Sequence, residues 1–223
     1  MSAGAVETMR VLVVDDNADL VEVVAEFLER KHDAIETTVA TSADDALARL
    51  TDEHVDCLVS DYDMPQKNGL DLLREVRETE PDLPFILFTG KGSEEIASEA
   101  ISAGVTEYLQ KGTATEQYTV LANRIERAVS ERRARARQAE TERRFATLVE
   151  NLPGMAYRCR DEEGWPMEFV SDGCAELTGY ARDEFGEGDV VWEEDIIHPD
   201  DREQTRTSTQ HAIESDEPFQ ITY

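Results

Sequence analysis

Lysine is scarce in this sequence, and acidic residues greatly outnumber basic ones. Lysine stands only at Lys31, Lys67, Lys91 and Lys111. Fifty aspartates and glutamates face 22 lysines and arginines, which gives a formal net charge of −28. Such a surface repels nucleic acid and anionic membranes, because both carry negative charge. We therefore expect neither nucleic acid nor a membrane among the partners.

The same imbalance has a consequence for stability. Self-repulsion of a highly charged surface destabilises the compact state, and salt screens that repulsion. An acidic, lysine-poor surface is typical of proteins from the salt-rich cytoplasm of extreme halophiles, although an acidic interaction protein would have the same composition. We expect stability to rise with KCl into the molar range.

Cysteine is also scarce, and long hydrophobic runs are missing. Cys57, Cys159 and Cys174 are widely scattered, without the CxxC spacing of zinc or redox sites. No apolar run approaches the roughly 20 residues that cross a bilayer. The N-terminus lacks the charged start and apolar stretch of a signal peptide. Since 40% of the residues are hydrophobic, we expect a folded, cytoplasmic protein.

Short apolar runs alternate with helical patterns through the first 130 residues. Five runs have strand length, namely 9–14, 34–40, 55–60, 84–88 and 106–110. Between them apolar residues recur at helical spacing, as in residues 20–28. Strands that alternate with helices need right-handed crossovers and form a parallel sheet covered on both faces. The sequence therefore predicts an α/β fold with a doubly wound, five-stranded parallel sheet.

Reactive side chains stand where four of these strands end. Asp15 and Asp16 follow the first strand, Asp61 the third, Thr89 the fourth and Lys111 the fifth. In a doubly wound sheet such tips meet at one crevice. Three carboxylates there repel one another unless a cation lies between them, and Mg²⁺ suits carboxylates, water and a phosphoryl oxygen. The plainer alternative for Asp61 is that it caps the next helix.

This set of groups suits phosphoryl transfer to an aspartate. A carboxylate can accept a phosphoryl group as a covalent aspartyl-phosphate. The transfer needs in-line positioning and neutralisation of the negative charge on the phosphoryl oxygens more than it needs acid–base chemistry. Mg²⁺ and the Lys111 ammonium would supply the positive charge, and the Thr89 hydroxyl a hydrogen bond. We expect Asp61, Thr89 and Lys111 to be the reactive residues.

Four motifs occur in a fixed order, namely Asp15-Asp16, Asp61-x-x-Met-Pro-x-x-x-Gly69, Thr89-Gly90 and Ala103-Gly104-x-x-x-Tyr108-Leu-x-Lys111. Through them residues 9–130 resemble the receiver domain of two-component response regulators. The resemblance implies a flavodoxin-like sheet of strand order 2-1-3-4-5. It also implies that a histidine kinase or a phosphotransfer protein supplies the phosphoryl group.

The resemblance assigns further roles. It implies that Asp16 and Asp61 ligate Mg²⁺, that Asp15 assists through water, and that the backbone carbonyl of Asp63 is a ligand. Tyr108 matches the switch aromatic, whose ring moves inward on phosphorylation. One position departs from the family, because Gly112 stands where proline usually follows the lysine. A cis bond before a non-proline residue costs about 2.5–4 kcal/mol, so cis and trans both stay open here.

The last helical pattern of this region continues far beyond the receiver. Neither Gly nor Pro occurs between Thr113 and Asn151, which predicts a helix about 50 Å long. Its apolar positions fit a heptad register only weakly. The run Arg132-Arg133-Ala-Arg135-Ala-Arg137 favours a solvated helix face over a nucleic-acid site, given the neighbouring glutamates. We expect a signalling helix that couples two domains.

Short, mixed elements follow the breakers Pro153 and Gly154. The segments Leu177-Thr-Gly-Tyr180, His198-Pro-Asp-Asp201 and Pro218-Phe-Gln-Ile-Thr-Tyr223 resemble the start of a PAS sensor domain. The resemblance implies a strand at 219–223 whose sheet neighbours are missing. Either the chain is a fragment of a longer protein, or a partner completes the sheet. We expect an α+β, C-terminally incomplete PAS domain and assign it no cofactor.

The sequence thus predicts four parts: a tail at 1–8, a receiver at 9–130, a linker helix at 131–150 and the PAS domain at 151–223. We expect a stoichiometric phosphoacceptor, not an enzyme, that relays a conformational change to the PAS module. The linker helix or the receiver could also hold a homodimer together.

Two other functions stay open. The chain could be the front of a receiver–PAS hybrid histidine kinase, although it contains no evident ATP lid. Asp61-Tyr-Asp63 after an apolar strand also occurs in haloacid-dehalogenase-type phosphatases. Those enzymes place a small hydroxyl residue where Met64-Pro65 stand here.

Overall fold

The computed structural model describes residues 7–90, 93–112, 115–162, 164–186, 188–215, 218 and 220. It divides into two compact units, Met1–Gln138 and Ala139–Tyr223. Among the described residues, none of the helices combines the length and the apolar character that a membrane span needs.

A parallel sheet of five strands forms the centre of the first unit. The strands are β1 (Met9–Val14), β2 (Ile35–Ala40), β3 (Cys57–Ser60), β4 (Phe85–Thr89) and β5 (Glu107–Gln110). Their order in the sheet is β2-β1-β3-β4-β5, and every pairing is parallel. This confirms the predicted doubly wound fold, with strand ends that differ from the prediction by one or two residues.

Helices connect successive strands, and most begin at a polar cap. They are α1 (Ala18–Lys31), α2 (Ala43–Asp52), α3 (Gly69–Thr79), α4 (Glu94–Ser102) and α5 (Glu116–Glu150). The side chains of Asn17, Ser42, Asn68 and Ser93 each accept a backbone N–H of the helix that follows. Such caps satisfy N–H groups that have no partner within the helix, so each helix start is fixed locally.

Two apolar clusters cover the two faces of the sheet. Val11 and Val13 belong to the cluster that includes α1 and α5, whereas Leu12 and Val14 belong to the cluster on the other face. The alternation follows from the two-residue period of a strand. Cys57 is fully buried in the first cluster, so it is a core residue. Burial and nearby Asp56 raise the pKa of its thiol.

Helix α5 is 35 residues long and is continuous, as predicted. Its first part packs on the sheet, where Leu121, Ile125 and Ala128 are buried. These residues belong to the weak heptad pattern of the sequence. The pattern therefore records packing within the first unit and not a coiled-coil seam at these positions.

The second unit contains short elements. Besides the end of α5 they are β6 (Tyr157–Cys159), β7 (Met167–Val170), α6 (Cys174–Thr178), α7 (Arg182–Gly186), a π-helical turn (Trp192–Ile196), a 3₁₀ turn (Pro199–Asp201) and α8 (Arg202–Ser215). Strands β6 and β7 are antiparallel. The strand predicted at 219–223 lies outside the described residues, apart from Gln220.

Candidate functional site

Two buried carboxylates lie at the carboxyl ends of neighbouring strands. Asp15 follows β1 and Asp61 follows β3, and they are 6% and 8% exposed. The N–H of Asp61 donates to the carbonyl oxygen of Val14 at 2.8 Å, and the N–H of Asp15 donates to that of Ala40 at 3.2 Å. The sheet hydrogen bonding therefore continues one residue past each strand and holds both acids at one edge.

The ammonium of Lys111 lies between these carboxylates. Its Nζ is 2.6 Å from Asp15 Oδ2 and 2.6 Å from Asp61 Oδ1. The backbone of Lys111 is held because its N–H donates to the carbonyl oxygen of Thr89 at 2.8 Å. Nζ also lies 5.7 Å from the ring centre of Phe88, within reach of a cation–π attraction.

The charged form of Lys111 is favoured by its partners. Burial opposes the charge most strongly, but hydrogen bonds and Coulomb attraction from Asp15 and Asp61 outweigh it, so the pKa of Lys111 is raised. The ammonium is therefore charged throughout the neutral range.

The second oxygen of Asp61 is also occupied. The backbone N–H of Asp63 donates to Asp61 Oδ2 at 2.7 Å. The sequence indicated Asp63 through its carbonyl and did not indicate this N–H. The Asp-x-Asp spacing is the available signal, because an aspartate commonly accepts the N–H two residues further along. Asp61 is thus oriented from both sides.

The remaining predicted residues lie around this centre with different exposures. Asp16 is exposed to solvent. Thr89 is fully buried at the end of β4. Tyr108 on β5 is half-buried against the cluster that includes β4 and α4. Its hydroxyl is buried and has no hydrogen-bond partner within the described residues. The structure therefore joins Asp15, Asp61 and Lys111 directly, and not Asp16.

Gly69 allows the following helix to approach Asp61 closely. A Cβ atom at this position would overlap the carbonyl oxygen of Asp61 and the side chain of Leu87. The N–H of Gly69 donates to the carbonyl oxygen of Tyr62 at 2.9 Å. Gly69 closes the motif that begins at Asp61, and the structural reason for a glycine here is the close approach of backbone to backbone.

The peptide bond between Lys111 and Gly112 is trans, since the described part of the chain contains no cis peptide bond. This answers the question that the missing proline left open. The N–H of Gly112 donates to the side-chain oxygen of Gln117, which links the loop after β5 to the start of α5.

The donor set suits a hard divalent cation. Within the described residues, no three His, Cys, Asp or Glu side chains form a ready-made metal cluster. Lys111 instead contacts both buried carboxylates and offsets one of their two negative charges. Asp15, Asp16 and Asp61 carry three negative charges against the single positive charge of Lys111. The atoms with which these side chains could bind a metal ion are all oxygens. Oxygen donors with excess negative charge fit Mg²⁺.

Two family models match the sequence. The response regulator receiver domain matches residues 11–123, and the PAS fold matches residues 167–223. The first match covers β1 from Val11 onward, the other four strands in full, both buried acids and Lys111.

Two curated relatives are similar to this chain. The C4-dicarboxylate transport transcriptional regulatory protein DctD of Rhizobium meliloti is 33% identical over 148 residues, which cover 65% of this chain and 32% of that protein. The response regulator SaeR of Staphylococcus aureus is 29% identical over 114 residues, which cover 51% of this chain and 49% of that protein. The chain thus spans half or less of the length of these relatives.

Solved structures resemble the first unit. A response regulator receiver domain protein from Clostridium thermocellum is 27% identical with a TM-score of 0.52, over 56% of this chain and 98% of that one. A CheY-like receiver domain protein from Methanospirillum hungatei JF-1 has a TM-score of 0.53 at 24% identity, over 58% of this chain and 99% of that one. The second likeness concerns the fold alone.

Proposed function

Because the chain belongs to the response regulator receiver family and carries a PAS fold after the receiver, we propose that it is the phosphoacceptor of a two-component relay. Asp61 receives the phosphoryl group from a histidine kinase or a phosphotransfer protein. The observation that carries this proposal is the Lys111 ammonium, 2.6 Å from both Asp15 and Asp61 at the buried edge of the sheet.

In the proposed step, an oxygen of Asp61 forms the new bond to phosphorus while the donor's bond to phosphorus breaks. The donor leaves with its bonding electron pair. Lys111 is positioned to follow the added charge, because its ammonium already contacts Asp61. We assign Thr89 a hydrogen bond to the transferred oxygens, and Tyr108 the inward movement that accompanies it.

We further propose Mg²⁺ as the cofactor. Asp16 and Asp61 would hold it together with the backbone carbonyl of Asp63, and Asp15 would assist through water. When bound, Mg²⁺ supplies positive charge to the phosphoryl oxygens. The exposed position of Asp16 keeps one carboxylate accessible to a hydrated ion.

The proposed role is stoichiometric. A receiver that takes one phosphoryl group fits both a response regulator and the front of a receiver–PAS hybrid histidine kinase, since the acceptor chemistry is the same. We propose that the phosphorylated receiver (9–130) acts through the linker helix (131–150) on the PAS module (151–223), in the cytoplasm.

A homodimer through the linker helix or the receiver remains a prediction. The helical alternative is supported by Phe145 and Leu148, which are 64% and 69% exposed on the part of α5 that belongs to the second unit. Light scattering of wild type and of Leu148→Glu tests it. A monomeric wild type at high protein concentration contradicts it.

The central test is labelling by acetyl phosphate with Mg²⁺ in molar KCl, read by intact mass. We expect one phosphoryl group per wild-type chain and none on Asp61→Asn. Asp63→Asn is the matched control, because it removes a neighbouring carboxylate and keeps the backbone groups. Equal labelling of Asp61→Asn overturns the proposal. Continuous turnover of a phosphomonoester would favour the phosphatase instead.

A further inference from the structure

The arginine run of α5 is not uniformly solvated, contrary to the sequence-based expectation. Arg135 fits it, since its side chain is 82% exposed. Arg133 does not, because its side chain is only 21% exposed. The two residues lie on the same helix two positions apart, so the helix presents one arginine to the body of the first unit and the other to solvent.

Arg133 contacts two separate chain segments through its guanidinium. Its Nη2 donates to the carbonyl oxygen of Thr8 at 2.7 Å and lies 3.1 Å from Asp56 Oδ2. Its Nη1 lies 3.4 Å from the carbonyl oxygen of Glu7 and 3.5 Å from that residue's carboxylate. A planar guanidinium holds several acceptors at fixed angles, which a lysine ammonium cannot do. Arg133 therefore ties α5 to both segments at once.

Asp56 is a buried and well-held partner. It is 7% exposed, and its Oδ2 also accepts the N–H of Arg10 at 3.0 Å. The N–H of Asp56 donates in return to the carbonyl oxygen of Arg10 at 2.8 Å. Arg133 thus meets a point where the start of β1 and the start of β3 are already joined.

The two strands held by Arg133 are the two that carry the buried acids. Thr8 precedes β1 and Asp56 precedes β3, whereas Asp15 and Asp61 follow the same strands. β3 is only four residues long. A shift of either strand along its axis would therefore move the contact groups at both edges of the sheet.

We propose that Arg133 is the positioning residue through which the receiver controls α5, by gripping the starts of β1 and β3. This inference rests on the proposed phosphorylation of Asp61. Arg137 supports the grip through Glu7, with Nη2 to Oε2 at 2.7 Å, and Arg132 through Glu80 at 3.4 Å. Arg133 is the part of this set that reaches a buried carboxylate.

Hydrogen exchange on the full chain tests the proposal, with and without beryllium fluoride and Mg²⁺ as the phosphoryl mimic. The variants are Arg133→Gln, Asp56→Asn and their double variant, with Arg135→Gln as the matched control. We expect amides 131–138 to exchange about tenfold faster in Arg133→Gln, because this change removes the ion pair with Asp56 and the contacts with Thr8 and Glu7 together. Asp56→Asn removes the charge of the ion pair and leaves the other two contacts, so its effect should be smaller. The double variant should equal Arg133→Gln, since the partner of Asp56 is already gone. Arg135→Gln should match wild type.

The response to the mimic separates coupling from mere support. We expect the mimic to change the exchange of residues 139–150 in wild type and in Arg135→Gln, and not in Arg133→Gln. A response that persists in Arg133→Gln overturns the proposal, as does a wild type without any response. Should Arg133→Gln fail to fold, Asp56→Asn decides, because its amide keeps an acceptor for the N–H of Arg10.

The proposed function and this inference can fail separately. Mass labelling of Asp61 tests the former without reference to α5. A labelled wild type with no change in residues 139–150 contradicts the coupling and leaves the phosphoacceptor role intact. If Asp61 is not labelled and exchange is nevertheless faster in Arg133→Gln, the phosphoacceptor role is contradicted. The contacts of Arg133 with the starts of β1 and β3 then have a structural role alone.

Discussion

The two edges of the sheet in the first unit are built alike and use different cations. At the carboxyl edge, Lys111 bridges Asp15 and Asp61, which follow β1 and β3. At the amino edge, Arg133 bridges Thr8 and Asp56, which precede the same strands. Each strand therefore has a cation-held contact at both ends, and the contact at Thr8 is the exposed one.

The choice of cation suits each edge. An ammonium on a flexible stem can follow a group that changes charge, whereas a guanidinium fork fixes several acceptors in one geometry. A lysine is thus appropriate where a phosphoryl group would arrive, and an arginine where a helix must be held in place.

The largest effect is expected for Lys111→Gln. Removing the cation leaves Asp15 and Asp61 buried without their counter-charge, and such a loss costs about 3–5 kcal/mol of unfolding free energy. Urea unfolding without Mg²⁺ measures it, and we expect added Mg²⁺ to restore part of the loss.

Lys67→Gln is the matched control for that experiment. Lys67 also bridges two carboxylates, those of Asp44 and Glu75, at 2.9 and 2.8 Å, but its side chain is 36% exposed. Exposed pairs contribute about 0–1 kcal/mol. Equal losses of unfolding free energy in Lys111→Gln and Lys67→Gln would show that burial does not strengthen the contacts of Lys111 relative to those of Lys67.

A smaller loss is expected for Gly69→Ala. The added methyl would overlap the carbonyl oxygen of Asp61, and overpacking of this kind costs about 1–3 kcal/mol despite the better helix propensity of alanine. Gly90→Ala is the control, since nothing lies within 4 Å of a Cβ there. A Gly69→Ala protein as stable and as readily phosphorylated as wild type would contradict the close approach.

Alkaline pH should weaken the Lys111 contacts at the carboxyl edge and leave the Arg133 contacts at the amino edge unchanged. The raised pKa of Lys111 means that its stabilisation is fully present below the unfolded-state pKa, about 10.4, and is lost as pH rises through the folded-state pKa. Arginine guanidinium groups in general stay charged in this range. The difference in unfolding free energy between wild type and Lys111→Gln should therefore narrow above about pH 10, by at most about 1.4 kcal/mol per pH unit for one proton.

Arg133→Gln provides the comparison for that titration. The difference in unfolding free energy between wild type and this variant should stay constant over the same pH range. If both differences narrow equally, alkaline unfolding is general and the two edges do not differ in this respect.

The smallest effect is expected for Arg137→Gln. Its pair with Glu7 is exposed on both sides, at 71% and 60%, and is expected to contribute no more than about 0.5 kcal/mol. One molar KCl should abolish that contribution by screening.

The melting temperature of wild type should rise with KCl concentration, because salt screens the self-repulsion of the acidic surface. A melting temperature indifferent to KCl would contradict the halophilic prediction.

The fold could be predicted because its signals are local. Strand length and helical spacing are properties of short segments, and the structure contains each predicted element of the receiver. The exposure of Asp16 and the hydrogen bond from the N–H of Asp63 to Asp61 could not be predicted from the sequence. Both depend on how the loop after each strand turns.

Arg133 gives the clearest case of a wrong prediction. Charge pattern alone favoured a solvated face for the whole arginine run. The carbonyl partner of Arg133 at Thr8 is 125 residues away in the chain, and helical periodicity does not reveal which distant segment a charged side chain will meet. Burial of an arginine becomes favourable only where acceptors already converge.

Four of the five strands end at the residue that the sequence predicts, since each apolar run stops before a polar group, whereas β4 continues one residue further to Thr89. Which charged groups meet depends on the fold and not on any local pattern of the sequence. Lys111 is 96 residues from Asp15 and 50 from Asp61, so their 2.6 Å contacts exist because parallel strands bring those tips to one edge. Coulomb attraction depends on distance in space, and that distance is fixed by the packing of the sheet.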